Sequence, residues 1–375
     1  MQSRTKKIIY AISILGGTTI GVGFFALPYI TSKIGFWTIL LYFLIVGGIA
    51  LIIHLLFSEI AMETKDYLRL PGYAKIYFGK KGKKIVSIIV IIGALGSMLS
   101  YLIVGGDFLS SFLAPILGGS DFLYIFIYFA LGTLVMYIGL KIISKIELVG
   151  ILSFFIVLAA IFFRAQPIMN AKNLFPVPNI SYLFLPYGVI LFSLWGLDLI
   201  PEAEEILGRD KKLLKKIVVP TFLLVSIMVY LFFIFLIVSI TGQFTTESAI
   251  TGLKNVLGNG IVSLVLLFGV TTTFTSFITV GLNLQKILRY DMKIKKSIAW
   301  TITCFAPFLL FLFGIRNFIN VVSFIGGVIL GIEGILIIFM YQKIKKDTLK
   351  VKIFTLPLIL VFALGIIYQI IYFLK

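Results

Sequence analysis

Apolar residues in this chain come in long unbroken stretches, not at the three-and-four spacing of a helix that buries one face. The stretch "FWTILLYFLIVGGIALIIHLLF" at 36–57 carries no charge and one imidazole, His54. A second, "IVVPTFLLVSIMVYLFFIFLIVSIT" at 217–241, has no charge at all. Runs of about 20 such residues match the length a helix needs to cross ~30 Å of hydrocarbon. Eleven can be placed, near 8–32, 36–58, 85–109, 122–140, 146–163, 183–206, 217–241, 260–284, 297–314, 317–341 and 352–374. They are continuous, which excludes the ten-residue alternating strands of an outer-membrane barrel. Lys6 and Lys7 precede the first run, as in a signal peptide, but the run continues well past a signal core and has no small-x-small cleavage site, so it reads as a span. The pattern predicts an all-α polytopic membrane protein, a single transmembrane domain over 1–375.

Composition agrees. With 60% hydrophobic and 13% charged residues, the 375 residues carry too little charge for a water-soluble shell. The net charge of +18 raises the question of a nucleic-acid partner, and its distribution answers it. With the N-terminus placed inside, successive inside segments hold three, seven, two, five, five and five Lys and Arg, which is 27 of the 33. This is the positive-inside signature: the basic loops set orientation and can touch anionic lipid, and no nucleic acid is expected. The expected placement is multi-pass in the cell membrane, N-terminus cytoplasmic and C-terminus extracellular. Cys304 is the only cysteine, so there is no internal disulfide, and it reads as a small core residue. His54 is the only histidine and cannot build a histidine metal site. No nucleophile–base set is visible, so no catalytic residue, metal or organic cofactor is expected.

Two connections and one segment stand out between the runs. "AMETKDYLRLPGYAKIYFGKKGKK" at 61–84 predicts an amphipathic interfacial element followed by a basic anchor. "AQPIMNAKNLFPVPNISYLFLP" at 165–186 has four prolines and predicts a folded extracellular loop. "TTESAITGLKNVL" at 245–257 reads as a short external helix with a capping hydroxyl. Five spans precede the proline-rich loop and five follow, with one left over. Two successive five-helix units must lie in opposite orientations, an inverted repeat over 8–164 and 183–341 with an additional helix at 352–374.

The first span of each unit carries an irregularity. Span one is interrupted at "GGTTIGVG" (16–23); span six reads "GVILFSLWGLDLIPEAEEILG" (188–208), where Gly196, Asp198 and Pro201 break an apolar helix. In lipid a free N–H or C=O costs several kcal/mol, so an unwound helix centre is tolerated only against protein, water or a ligand. The second half-helix then offers N–H groups to an anion and the first offers C=O groups to a cation. An α-amino acid zwitterion carries both. Tight helix packing at Gly16, Gly17, Gly21 and Gly23 is the competing explanation for the glycines. Matching breaks at matching repeat positions favour a transporter site.

"GGTTIGVGFFALPY" (16–29) resembles the first-helix signature of the amino acid–polyamine–cation superfamily, closest to the amino acid/auxin and aromatic amino acid permeases. "FSLWGLDLIPEAEEIL", "LPGYAKIYFGKKGKK" and "TTTFTSFITVGLNL" are similar to the sixth helix, the 2–3 loop and the eighth helix of the same families. The resemblance implies the leucine-transporter fold, a 5+5 inverted repeat with an eleventh helix, helices 1 and 6 discontinuous, working by alternating access. It implies that the N–H groups of Val22 and Gly23 hold a substrate carboxylate. The C=O groups of Thr19, Phe192 and Trp195 take its ammonium. Phe192 is the aromatic lid, with hydroxyl contacts from Ser193 and Thr18.

For the coupling ion, the resemblance implies carbonyls of Gly17 and Ile20 together with an eighth-span carbonyl and two hydroxyls. Thr272, Thr275 and Ser276 lie at i, i+3 and i+4, on one helix face. An all-oxygen set suits Na⁺, although such hydroxyls also back-bond to their own helix. H⁺ is the other candidate, through Asp198 as a gate or Glu333 well inside the tenth span. The fifth-span lysine of some proton-coupled relatives is missing between 146 and 163. Asp107 and Glu147 lie near span ends, where a solvated or interfacial role is expected, and Glu202, Glu204 and Glu205 are expected to face an inner vestibule and the basic loop after span six. The reading is a secondary transporter for a neutral or aromatic amino acid. The alternative is a cation carrier or channel of the same fold, which lacks support in a polar stripe or a metal-carrier motif at the breaks.

Overall fold

The computed structural model describes residues 3–64, 68–138, 143–253, 257, 259–346 and 348–374; the side chains of Thr18, 143–153, Asn259 and Ile261 lie outside that description. All described secondary structure is helical. The first span is two helices, α1 (Arg4–Thr19) and α2 (Leu27–Ile34), joined through a 3-10 turn at Val22–Ala26 and bent by 54°. Then come α3 (Phe36–Glu63), α4 (Leu70–Leu117), α5 (Asp121–Ile138) and α6 (Ile143–Ala165). The sixth span is again two helices, α7 (Leu185–Ser193) and α8 (Ile200–Leu207), with a 3-10 turn at Leu197–Leu199 between them. After α9 (Val219–Thr241), α10 (Asn259–Lys286) and α11 (Lys296–Leu312), the tenth span runs from α12 (Phe318–Phe324) through a π turn at Ile325–Ile329 into α13 (Leu330–Ile344). The last is α14 (Leu349–Leu374). Each of the eleven apolar runs therefore has its helix. Among the described residues eight are long and apolar enough to cross a membrane, the bent first pair makes a ninth, and Phe154–Ile168 and Lys296–Leu312 are shorter.

Three loop expectations meet different outcomes. A short helix does begin at Leu70, but the basic run Lys80–Lys84 is the start of the long helical part of α4 and not a loose anchor. Gly79, at φ +72°, makes the turn between the two, a conformation glycine adopts without a Cβ clash. Lys83 then reaches Asp291 at 2.8 Å. The proline-rich segment folds as three 3-10 turns tied to its neighbours: Asn170 N–H donates to Ser239 O (2.9 Å) and Asn179 N–H to Lys33 O (2.9 Å). The segment from Thr245 holds turns and a 3-10 turn at Thr251–Leu253, not the expected helix start. Its hydroxyls are used sideways: Thr245 with Thr241 (2.7 Å), and Ser248 with Asp107 (3.0 Å) and Thr251 (3.0 Å). Residues 254–256 and 258 lie outside the described residues.

Charge separates the two ends of the bundle. At one end Glu59 of α3 pairs with both Lys215 and Lys345, Lys211 with Glu204 (3.5 Å), and Arg4 with Asp210 (3.7 Å). These pairs join the N-terminus and the segments after spans two, six and ten, all assigned to one side by charge counting.

Spans six and ten approach closely. A methyl built on Gly188 of α7 would collide with Ser323 O, and one on Gly326 with Gly188 O. Without a hydrophobic drive between helices in lipid, such close backbone contact is what holds them. On its other side, span ten presents Gly327, Gly331 and Gly334 to Gln369, Ile366 and Phe362 of α14. Gln369 Nε2 adds a buried bond to Ser323 Oγ at 2.7 Å.

Candidate functional site: two facing breaks

α1 ends because Ile20 (ψ 59°) and Gly21 (φ −102°, ψ −155°) leave helical geometry. α7 ends at Leu194 and Gly196 (φ −117°, ψ 17°), and Pro201 opens α8 in the first turn, where its missing N–H costs nothing. The two breaks face each other. A methyl on Gly23 would lie 2.6 Å from Ser193 Oγ and 2.7 Å from Phe192 Cδ1; one on Gly196 would lie 3.2 Å from Thr19 Cγ2. Glycine here serves both explanations weighed from the sequence, since the close packing is packing of one break on the other.

The main-chain groups freed at the breaks are met by side chains from neighbouring spans. Tyr230 of α9 places its hydroxyl 2.6 Å from Thr19 O and 2.8 Å from Ser193 O, donating to the last carbonyls of both first halves. Ser226, one turn earlier, bonds Thr19 Oγ1 at 3.0 Å. His54 of α3 accepts the Gly196 N–H on Nε2 at 3.1 Å while its Nδ1 faces Ala50 O at 2.7 Å. A carbonyl can only accept, so Nδ1 carries the proton and Nε2 is the free acceptor; the ring is the neutral tautomer. Trp195 Nε1–H donates to Glu333 Oε2 at 3.1 Å, bringing span ten to the second break.

Most of the candidate residues fall at these breaks. Val22 and Gly23 open the 3-10 turn, where the first N–H groups of a helix have no partner within it. Thr19 O is already engaged, by Gly21 N–H at 2.7 Å and by Tyr230. Phe192 O accepts Trp195 N–H at 3.3 Å, and Ser193 Oγ back-bonds to Val189 O at 2.8 Å. The Thr18 side chain lies outside the described residues, as does that of Glu147. Asp198 follows the second break and is exposed, facing space that water can enter. Glu333 is 4% exposed, with Trp195 as its hydrogen-bond donor. Asp107 is partly buried and accepts from Ser248 Oγ at 3.0 Å.

The ion candidates are divided between two elements. Gly17 and Ile20 sit at the end of α1, which packs on α8 and α9, whereas Thr272, Thr275 and Ser276 are on α10, packed mainly on α4 and α6. Thr275 Oγ1 donates to Thr272 O at 3.0 Å, the back-bond anticipated for such hydroxyls, and Thr272 Oγ1 is buried without a partner.

His54, Ser226 and Tyr230 were not among the residues picked out for the site. A signal existed: each is a polar group in an otherwise apolar run, and Ser226 and Tyr230 stand at i, i+4 on one helix face.

Beside the breaks the interior is filled by aromatic rings. Phe24 stacks on Tyr230 (6.0 Å, 1°) and meets Phe233 (4.8 Å, 69°) and Phe154 (5.5 Å, 72°) edge-on, while Phe25 meets Phe108 (5.1 Å, 79°). At the basic end a cavity of about 290 Å³ is lined by Leu68, Arg69, Gly72, Pro201, Glu202, Glu205 and Asp291. Glu202 and Glu205 line that cavity, and Glu204 turns to Lys211 of the basic segment after span six.

Two broken spans closed on each other inside a helical bundle define a membrane transporter. The chain matches the tryptophan/tyrosine permease family over residues 4–372 and belongs to it. That agrees with the aromatic amino acid side of the resemblance. It is similar to the tyrosine-specific transport system 1 of Haemophilus influenzae, 25% identical over 306 residues, covering 77% of this chain and 74% of that one. Among solved structures it resembles Mhp1, a nucleobase-cation-symport-1 family transporter in a closed conformation with bromovinylhydantoin bound (TM-score 0.67, 14% identity, 96% of this chain and 90% of that one). It also resembles MhsT in complex with L-phenylalanine (TM-score 0.60, 13% identity, 96% and 97%) and a manganese transporter of Eremococcus coleocola (TM-score 0.64, 12% identity, 98% and 95%). At such identities the likeness is one of fold, the leucine-transporter fold.

Proposed function

We propose that this chain carries an aromatic amino acid across the cell membrane by alternating access, coupled to Na⁺ or H⁺, with the basic end cytoplasmic. The observation that carries the reading is the pair of breaks facing each other in the bundle. One presents N–H groups at Val22 and Gly23, and both present carbonyls at Thr19 and Ser193. The family match and the tyrosine transport relative support the substrate class. Phe192 lies against Gly23, where a lid over the amino acid's ring would sit. Residues 8–164 and 183–341 act as the two inverted repeats.

For coupling, the carbonyls of Gly17 and Ile20 join Thr272, Thr275 and Ser276 in a sodium site that assembles when α1 and α10 come together. The proton alternative runs through Glu333, with Asp198 as the gate.

Uptake of labelled L-tyrosine, L-tryptophan and L-phenylalanine into proteoliposomes tests both parts. Saturable uptake driven by a sodium gradient should need a higher sodium concentration after Thr275→Ala with Ser276→Ala. Uptake that ignores sodium and follows a pH gradient should lose that drive in Glu333→Gln, which keeps an acceptor for Trp195. Non-saturating flux would point to a channel, and uptake of none of the three would reject the substrate class.

A further inference from the structure

The carbonyls at the ends of α1 and α7 are where a substrate ammonium would be held, and the structure shows them already in use. The Tyr230 hydroxyl lies 2.6 Å from one and 2.8 Å from the other. Tyr230 is fully buried, and its ring is fixed by the parallel stack on Phe24. A phenol has one proton to donate, so the two carbonyls share it. Both stand at the C-terminal, negative end of a half-helix, where positive charge is favoured. An ammonium brings three N–H donors and a full charge, and would serve both carbonyls at once with the stronger, charge-assisted bond.

We propose that the Tyr230 hydroxyl stands in for the substrate's ammonium group, holding the two broken spans together when no cargo is carried and giving up their carbonyls when it is. The inference rests on reading the breaks as the amino acid site and goes beyond it by assigning the return step. A carrier that changes conformation without cargo must not leave the Ser193 carbonyl bare, and the Thr19 carbonyl with the Gly21 N–H alone, in an apolar interior with no water to replace the lost bonds. Tyr230 removes that cost from the empty return. His54 is the counterpart on the N–H side, since its Nε2 accepts from Gly196. The fixed bond between Ser226 and the Thr19 hydroxyl keeps α9 in register with the first break without touching either carbonyl.

The test separates net transport from exchange, because exchange keeps cargo on board during both crossings. Full-length Tyr230→Phe, which retains the ring and its stack on Phe24, is reconstituted beside wild type. Net uptake of labelled L-tyrosine into empty vesicles is compared with uptake into vesicles preloaded with unlabelled L-tyrosine. Net uptake should fall roughly tenfold, the scale of one or two lost buried hydrogen bonds, while exchange changes by less than about twofold. In detergent the variant should also show a larger Tm gain from saturating L-tyrosine than wild type does, because its cargo-free form is the one destabilised. Equal losses in net uptake and exchange, or no loss in either, would overturn the proposal while leaving the transport reading in place. So would the same split in Ser226→Ala, which loosens α9 but leaves the carbonyls bonded. A wild-type protein that moves no aromatic amino acid in either mode would take down the transport reading, and this inference with it.

Discussion

His54 serves one main-chain amide in a place without water, so its contribution is that of a buried hydrogen bond with nothing to replace it. His54→Phe keeps a planar ring against Trp195 and Phe222, which now pack on it edge-on at 6.1 Å and 5.4 Å, but removes the acceptor for Gly196. The stranded N–H should cost about 1–3 kcal/mol, seen as a fall of a few degrees in the Tm of the purified protein. An unchanged Tm would mean that Gly196 does not depend on the imidazole. The histidine was visible in the sequence as a lone imidazole in an uncharged run, but its partner was not. Which main-chain amide an imidazole meets is decided by the crossing of spans two and six, and one chain's residue order does not encode that crossing directly. Glu333 was legible as a buried acid for the opposite reason: a carboxylate deep in an apolar run is costly wherever the helices cross.

At the scale of elements, the two breaks were readable because glycine, proline and acid cluster where an apolar helix should continue. The close seam between spans six and ten was not, since Gly188 and Gly326 look like any glycine in a membrane helix until the helices are brought together. Gly188→Ala or Gly326→Ala would drive a methyl into a facing carbonyl, a backbone atom that cannot swing away. Each should destabilise by at least about 1–3 kcal/mol, the usual cost of overpacking. Gly16→Ala, with open space where its methyl would go, should leave the Tm within a degree or two or raise it slightly through helix propensity. Thermal unfolding of the three variants in one detergent checks this; equal behaviour would mean that the seam is not tightly closed. Gly23→Ala belongs with the seam variants, because its methyl meets Ser193 and Phe192. It should lose transport by holding the breaks apart.

For the whole molecule, aromatic rings pack beside the breaks and a carboxylate-lined cavity lies at the basic end. Single cysteines introduced for Phe25 and Glu202, in a Cys304→Ser background, should differ in labelling by a membrane-impermeant maleimide. The Glu202 position should react from the basic side, and the Phe25 position from neither until substrate or ion shifts the conformation. Charge counting foresaw which segments share an end because positive charge is sorted by side of the membrane. It could not foresee that a cavity opens among Arg69, Glu202, Glu205 and Asp291, a property of packing and not of composition. The central claim, that main-chain groups at two facing breaks hold both charges of an amino acid, is tested most directly by binding. Affinities of the purified protein for L-tyrosine, tyramine and 3-(4-hydroxyphenyl)propionate can be measured by calorimetry under one buffer. The account predicts that either analogue, lacking one charged group, binds roughly ten- to a hundredfold more weakly than L-tyrosine. Comparable affinities for all three would contradict it.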